Sequence, residues 1–467
     1  MVLHHLHQFP PQGPEGEGHP APPSGEAAAA VAHRAAAAGA PSAKDSLKAL
    51  KEKVQERLIK QLGKGAQNGT PEEMRAAITS IYETVLTEED VLLGRAERET
   101  LLAAVLAEII GFGPIQPLLD DESVSEVLVD GPHMVYVERH GKLEMTSVTF
   151  DDDDHVRHII ERIISPLGRR CDESSPIVDA RLPDGSRVNA IIPPLALNGP
   201  TITIRKFSKK PLSVDDLVRF GSLTKELGEF LRACVIARMN VIVSGGTGSG
   251  KTTLLNVLSG FIPETERIIT VEDAAEVQLQ HQFWVRLESR KPNIEGKGEV
   301  SIRDLVINTL RMRPDRIVVG ECRGGEALDM IQAMNTGHDG SLTTLHANTP
   351  RDALGRLEVL VLMAGIDLPV AAIRRQIASA IQLIVQQERM RDGSRRITYV
   401  TEVQGMEGDA LVLQDIFKFE QEGIDEHGKI IGHLKPTGLR PKFMTRIAEA
   451  GIQLPPDTFG TQAATAG

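Results

Sequence analysis

The sequence predicts an α/β protein: a P-loop domain on a parallel-rich sheet, preceded by an α+β domain and a small helical module. Three observations lead there. The Gly-rich run Gly245-Gly246-Thr247-Gly248-Ser249-Gly250-Lys251-Thr252-Thr253 stands between a short apolar strand-like segment and a segment of helical periodicity. Beyond residue 222, strand-like and helix-like segments alternate, as they do in a parallel sheet with crossover helices. From Gly113 to Phe207 the texture is instead one of short β-rich runs broken by Asp-Gly, Asn-Gly and Pro signals.

Taken in order, residues 1–43 are dominated by Pro, Gly, Ala and Glu and hold too few large apolar side chains to offset the entropy of ordering, so they read as a disordered arm. A helical module follows over 44–110. Leu47, Leu50, Val54, Leu58 and Leu62 recur every three or four residues between Asp45 and Gly63, the pattern of an amphipathic helix. Thr70, Pro71 and Glu73 then form a helix start, with Met74, Ile78, Ile81 and Val85 as its apolar stripe. Thr87 is the expected cap of a third segment, which carries Leu101, Leu102, Val105, Leu106 and Ile109 and stops at Gly111.

The α+β domain is expected over 111–207, with strands near Glu126–Val129, Met134–Glu138, Arg187–Ile192 and Thr201–Arg205. A linker spans 208–222. In the last domain, 223–467, strands are expected at Asn240–Ser244, Arg267–Val271, Arg316–Gly320 and Ser341–Leu345. Between the first two lies a helix, Lys251–Phe261, whose apolar side is Leu254, Leu255, Leu258 and Phe261.

Bulk properties narrow the class. A chain of 467 residues exceeds one compact core, and a formal charge of −12 opposes nonspecific attraction to nucleic-acid phosphates or an anionic membrane. Cys171, Cys234 and Cys322 form no C-x-x-C pair, which removes a disulfide framework and a zinc cage and fits a reducing cytoplasm. The most apolar region, Val359–Val385, is interrupted by Asp367, Arg374 and Arg375, and Met1–Pro10 lacks the charged and apolar regions of a secretory signal; neither spanning nor export is expected.

The chemistry centres on the Gly-rich run. Backbone N–H groups converge on phosphates only where side chains are absent, and a helix N-terminus adds favourable charge. Lys251 is expected at the β- and γ-phosphates and the Thr252 hydroxyl on Mg²⁺. Hydrolysis also needs a carboxylate near the γ-phosphate. Two strand ends offer one: Gly320-Glu321 after Arg316-Ile317-Val318-Val319, and Glu272-Asp273 after Arg267–Val271, with Glu276 close behind.

With these residues in place the chain resembles the motor ATPases of type II secretion, type IV pili and type IV secretion. Four boxes occur in order: the Walker A run, the Asp box Thr270-Val271-Glu272-Asp273, the Walker B segment Pro314–Ala327, and the His box Thr336–Asn348. Within that family it is most similar to the CpaF branch, which drives tight-adherence (Flp-type) pili. That likeness lies in Gly113-Pro114-Ile115-Gln116-Pro117-Leu118-Leu119, Asp130-Gly131-Pro132, Leu182–Asn189 and Pro436-Thr437-Gly438-Leu439-Arg440-Pro441.

The resemblance implies a RecA-like ATPase domain that binds ATP and Mg²⁺. It implies Glu272 as catalytic base and Glu321 as the Walker B carboxylate on the metal, with His338 and His346 beside the nucleotide. It also implies that Arg187 and Arg205 of the α+β domain reach bound nucleotide, and the short connection after Lys206 favours the nucleotide of their own subunit. Cys322 reads as packed core. The absence of cysteines beyond it argues against the zinc-bearing type II branch.

A homohexamer acting on a polytopic inner-membrane platform protein is the implied assembly, held at the cytoplasmic face of the membrane through that partner and without insertion. Three Tyr, one Trp and twelve Phe give little material for base stacking, so nucleic acid is not an expected partner. A nucleic-acid translocase on the same fold and a noncatalytic ATP-sensing scaffold remain the alternatives.

Overall fold

The computed structural model describes residues 53–54, 56–57, 70–88, 94–139, 141–207, 211–292 and 296–460. The expected arm lies outside the described residues, as does the Asp45–Gly63 helix apart from Lys53, Val54, Glu56 and Arg57, which are helical. The chain forms two compact units: Glu138–Leu143 group with the residues from Lys206 onward, and the other described residues up to Arg205 form the first.

In the first unit, helix α1 (Pro71–Glu88) opens as the sequence predicts. The Thr70 N–H donates to Glu73 Oε2 at 2.8 Å and the Glu73 N–H to Thr70 Oγ1 at 3.3 Å, a reciprocal cap. Helix α2 (Arg95–Ile109) corrects one expectation. It starts at Gly94, whose N–H donates to the Glu97 carboxylate at 2.9 Å. Thr87 caps no helix among the described residues: it sits in the last turn of α1 with its hydroxyl donating back to the Glu83 carbonyl at 2.8 Å. Ile78, Ile81 and Val85 of α1 pack against Val105 and Leu106 of α2. At the far end of α2, Arg162 donates to the carbonyls of Glu108 (2.6 Å) and Gly111 (2.8 Å), satisfying acceptors that the helix end leaves open.

A short helix α3 (Gln116–Asp120) leads into a six-stranded sheet of β1 (Val124–Asp130), β2 (Val135–Arg139), β3 (Lys142–Met145), β4 (Ile177–Arg181), β5 (Arg187–Ile191) and β6 (Thr201–Arg205), ordered β3-β2-β1-β6-β5-β4. Helix α4 (Asp153–Ile164) buries Val156, Ile159, Ile160 and Ile163 against Val127, Val129, Val188, Ile202 and Ile204. Side chains alternate between faces of a strand, so burying these residues turns their neighbours to the other face. The register puts Glu126, Arg205, Arg187 and Arg181 side by side there, on four adjacent strands.

The second unit begins with α5 (Val214–Arg219) and α6 (Lys225–Ile236) and contains a nine-stranded sheet. Its parallel part comprises β7 (Val241–Gly245), β8 (Ile268–Glu272), β9 (Trp284–Glu288), β10 (Arg316–Val319), β11 (Leu342–His346) and β12 (Leu383–Arg389), ordered β12-β7-β11-β10-β8-β9. Helix α7 (Lys251–Ser259) and α6 cover one face. Helices α8 (Ile302–Thr309), α9 (Glu326–Asn335), α10 (Pro350–Leu362) and α11 (Val370–Ala380) belong to the core on the other. Beyond β12 the sheet continues antiparallel through β13 (Arg395–Glu407), β14 (Ala410–Ile424) and β15 (Ile430–Pro436), an extension the sequence reading did not resolve.

Helix α12 (Met444–Glu449) and the segment after it fold back onto α6. Phe230 of α6 sits in a cluster with Phe417 (ring centroids 5.7 Å apart), Phe443 (6.3 Å, stacked) and Phe459 (5.4 Å, edge to face). Among the described residues no helix is long and apolar enough to cross a membrane.

Candidate functional site

Every residue of β7 is buried, and the strand ends at Gly245. A Cβ there would fall 2.2 Å from the Gln387 carbonyl oxygen and 2.6 Å from Ser249 Oγ, so only glycine lets the chain turn at this point. The loop then enters α7 at Lys251, which directs a helix N-terminus at the space the loop encloses. Lys251 Nζ donates to the Gly246 carbonyl at 2.9 Å, holding the ammonium over the loop. Ser249 Oγ is buried with no hydrogen-bond partner, whereas Thr252 and Thr253 are half-buried on the first turn of α7.

The carboxylates come from neighbouring strands. Gly320 donates its N–H to Val271 (2.9 Å), Cys322 donates to Thr344 (3.0 Å), and the Thr344 hydroxyl donates to the Gly320 carbonyl (2.7 Å). These bonds extend β10 between β8 and β11 and fix the backbone on both sides of Glu321. Glu321 Oε1 lies 3.6 Å from His346 Nδ1, while His346 Nε2 lies 3.1 Å from Thr247 Oγ1. Register explains the meeting, because His346 pairs with Gly245 at the same end of the sheet.

Arg323 completes the chain of contacts: its Nε donates to Glu321 Oε2 at 2.9 Å and its NH1 lies 3.6 Å from Asp273 Oδ2. Sequence reasoning missed it, although its place two residues after Glu321 was a signal. Thr247, His346, Glu321, Arg323 and Asp273 thus link all four boxes.

Glu272 stands differently. It is the last residue of β8 and only 2% exposed; its Oε1 accepts the N–H groups of Glu276 and Val277, both at 2.9 Å, while Oε2 is buried without a partner. Burial raises its pKa, and the two backbone bonds oppose that rise.

His338 does not join the group. It precedes β11, at the end of the sheet where β7 begins, and Asn240 there accepts from Gly340 and Ser341. The whole length of β11 separates it from the P-loop, so the expected contact with a nucleotide held by the same chain is not supported. Cys322 is packed core as expected, against Met330 and Thr343, and burial pushes its thiol up to about 12.

In the first unit, Arg187 and Arg205 are direct cross-strand neighbours, with Arg205 Nε 3.8 Å from Glu126 Oε1. Arg181, which the sequence reading passed over, flanks Arg187 on the other side. For a metal, Thr252 offers a hydroxyl and Glu321 a carboxylate that already faces a cation in Arg323. Oxygen donors of this kind suit a hard divalent ion such as Mg²⁺.

The chain has relatives among known proteins. Residues 108–411 match the sequence profile of the type II/IV secretion system protein family, and residues 47–110 match the N-terminal domain of type II secretion system protein E. A Mycobacterium tuberculosis (strain H37Rv) protein provisionally named for conjugal transfer is 38% identical over 323 residues, 68% of this chain and 91% of that protein. The type IV secretion system protein VirB11 of Bartonella quintana is 32% identical over 62% of this chain and 90% of its own length. Among solved structures, the VirB11 ATPase of the Brucella suis type IV secretion system is 31% identical, covering 62% of this chain and 94% of that one with a TM-score of 0.34. The fold is α/β; the profile match spans more than half of the 467 residues, and the chain therefore belongs to the type II/IV secretion system protein family.

Proposed function

We propose that this chain is a Mg²⁺-dependent ATP hydrolase working as a hexameric motor that drives assembly of a tight-adherence pilus through a polytopic inner-membrane platform protein. The observation that carries hydrolysis is the linkage of Thr247 to Glu321 through His346, which couples the phosphate loop to the Walker B carboxylate. Lys251 and the loop N–H groups bind the phosphates. Thr252 and Glu321 hold magnesium, which neutralises phosphate charge when bound. Glu272 keeps one carboxylate oxygen without a partner, and its raised pKa suits a base that takes a proton from the attacking water. Arg187 and Arg205 supply further positive charge to the phosphates.

The pilus assignment rests on the Gly113–Leu119, Leu182–Asn189 and Pro436–Pro441 segments. A second reading, transfer of nucleic acid or protein by a conjugation-type machine, is favoured by the names of the relatives. Steady-state phosphate release separates the two. Stimulation by the cytoplasmic part of a platform protein but not by DNA supports the pilus motor, and the reverse supports the second reading. No release under either condition, with ATP bound, leaves a noncatalytic scaffold.

A further inference from the structure

The P-loop is braced from outside its own motif. Strand β12 pairs Gln387 with Gly245, and β13 returns antiparallel so that Arg395 enters at the same edge. The Ser222 hydroxyl donates to the Arg395 carbonyl at 2.6 Å and anchors its backbone. From there the side chain passes Gly250, where a Cβ would lie 3.3 Å from Arg395 Cδ, and Nε donates to the Gly248 carbonyl at 2.9 Å.

The direction of that carbonyl matters. In a trans peptide the carbonyl and the following N–H point opposite ways, so a Gly248 carbonyl held by Arg395 turns the Ser249 N–H toward the inside of the loop. There it lies 3.4 Å from the Gly246 carbonyl oxygen, which also accepts from Lys251 Nζ. One backbone oxygen thus receives the same two donors that a phosphate oxygen would. Gly248 has φ +68, a conformation open to glycine, and with glycine on one side the peptide is free to rotate unless something holds it. Rotated, it would present a carbonyl to an incoming anion.

Accepting the nucleotide-binding reading above, we propose that Arg395 is a positioning residue for the phosphate loop: it fixes the Gly248–Ser249 peptide with its N–H inward and so sets the affinity for the polyphosphate part of the nucleotide without touching it.

The test uses the full-length protein and its Arg395→Ala, Arg395→Gln and Arg395→Lys variants, with calorimetric titration of ADP and of pyrophosphate, and KM and kcat for ATP. Arg395→Ala is expected to weaken ADP and pyrophosphate alike, by about tenfold or more, as for loss of a charge-assisted hydrogen bond. KM should rise while kcat stays within about threefold, and Arg395→Lys, which keeps a cationic donor, should recover most of the loss. The shorter, neutral Arg395→Gln replaces the alanine variant if that one does not fold.

Three results would overturn the proposal. Unchanged affinities remove the role, a loss for ADP but not pyrophosphate places Arg395 on the base or sugar, and a lysine variant as weak as alanine shows that the cationic donor is not what acts. Failure of the unmodified protein to bind either ligand would instead remove the nucleotide reading itself.

Discussion

Thr247 of the phosphate loop and His346 of β11, 99 residues apart, meet at 3.1 Å, and the same imidazole faces Glu321 at 3.6 Å. One ring therefore spans the loop and the carboxylate. Replacing His346 by Ala should lower kcat on the order of tenfold to hundredfold, the usual effect of losing a group that orients a metal ligand, with ADP affinity changed far less. Stopped-flow binding and steady-state turnover measure the two separately, and an equal loss in both would place His346 on the nucleotide rather than on Glu321.

Lys251→Ala should abolish turnover and weaken nucleotide binding, because no other cation lies on the loop's own strand-to-helix turn. Circular dichroism should remain that of the folded protein. Residual turnover within about tenfold of the parent would take the loop out of the mechanism.

Glu321→Gln and Glu272→Gln should part company. The first keeps shape, loses charge on the magnesium side, and is expected to bind ATP while hydrolysing it slowly. The second also has a pH signature. Burial raises the Glu272 pKa in the folded chain, so the stability it contributes is present below the unfolded carboxylate pKa and is lost as pH rises through the folded value. A glutamine there still accepts from Glu276 and Val277 and carries no buried charge. Its melting temperature should therefore gain on the parent's between acid and pH 8, while turnover falls; parallel melting curves across pH would contradict the burial argument.

Arg205→Ala and Arg187→Ala should each cut turnover on the order of 10³ with a smaller loss of ATP affinity, as for arginines that stabilise a transferring phosphoryl group. Mixing Arg205→Ala with Lys251→Ala protein should not restore activity if each chain uses its own arginines. A control mixture of Lys251→Ala with unmodified protein must first show that an assembly tolerates inactive subunits.

Phe459→Ala should destabilise the second unit by about 3–5 kcal/mol, the range for removing a buried aromatic ring. Phe459 is 2% exposed and edge-on to Phe230. Urea unfolding would show it, and a change within about 1 kcal/mol would mean that the last segment rests on the core without supporting it.

What could be read from the sequence was local. The turn at Gly245, the helix start at Lys251 and the cap at Thr70 depend on residues a few positions apart, and each stands where the pattern put it. The Thr87 cap is replaced by Gly94 with Glu97, an equivalent start, while Val85 and Leu86, buried in the α1–α2 core, precede Thr87 in the last turns of α1. His338 and His346, eight residues apart in one box, look adjacent in the sequence yet stand at opposite ends of a β-strand. Arg395 left no trace near the loop it braces, since its contact is made through the pairing of β7, β12 and β13. The strands β14 and β15 gave no clean period of two, because Leu411 to Asp415 are all half-buried, Ile431 is exposed, and a register shift at Gln421–Gly423 interrupts the alternation.

The cluster around Phe230 has a bearing on how the protein is made. Phe230 precedes the phosphate loop in the chain, but Phe417, Phe443 and Phe459, which close the core around it, follow long after. At about 5–20 residues per second, the ribosome delivers those rings on the order of tens of seconds after Phe230. During that interval the emerging domain exposes an apolar face that belongs inside. A chaperone that shields α6 during translation would have its window there, and release would be timed by the arrival of the final aromatic ring.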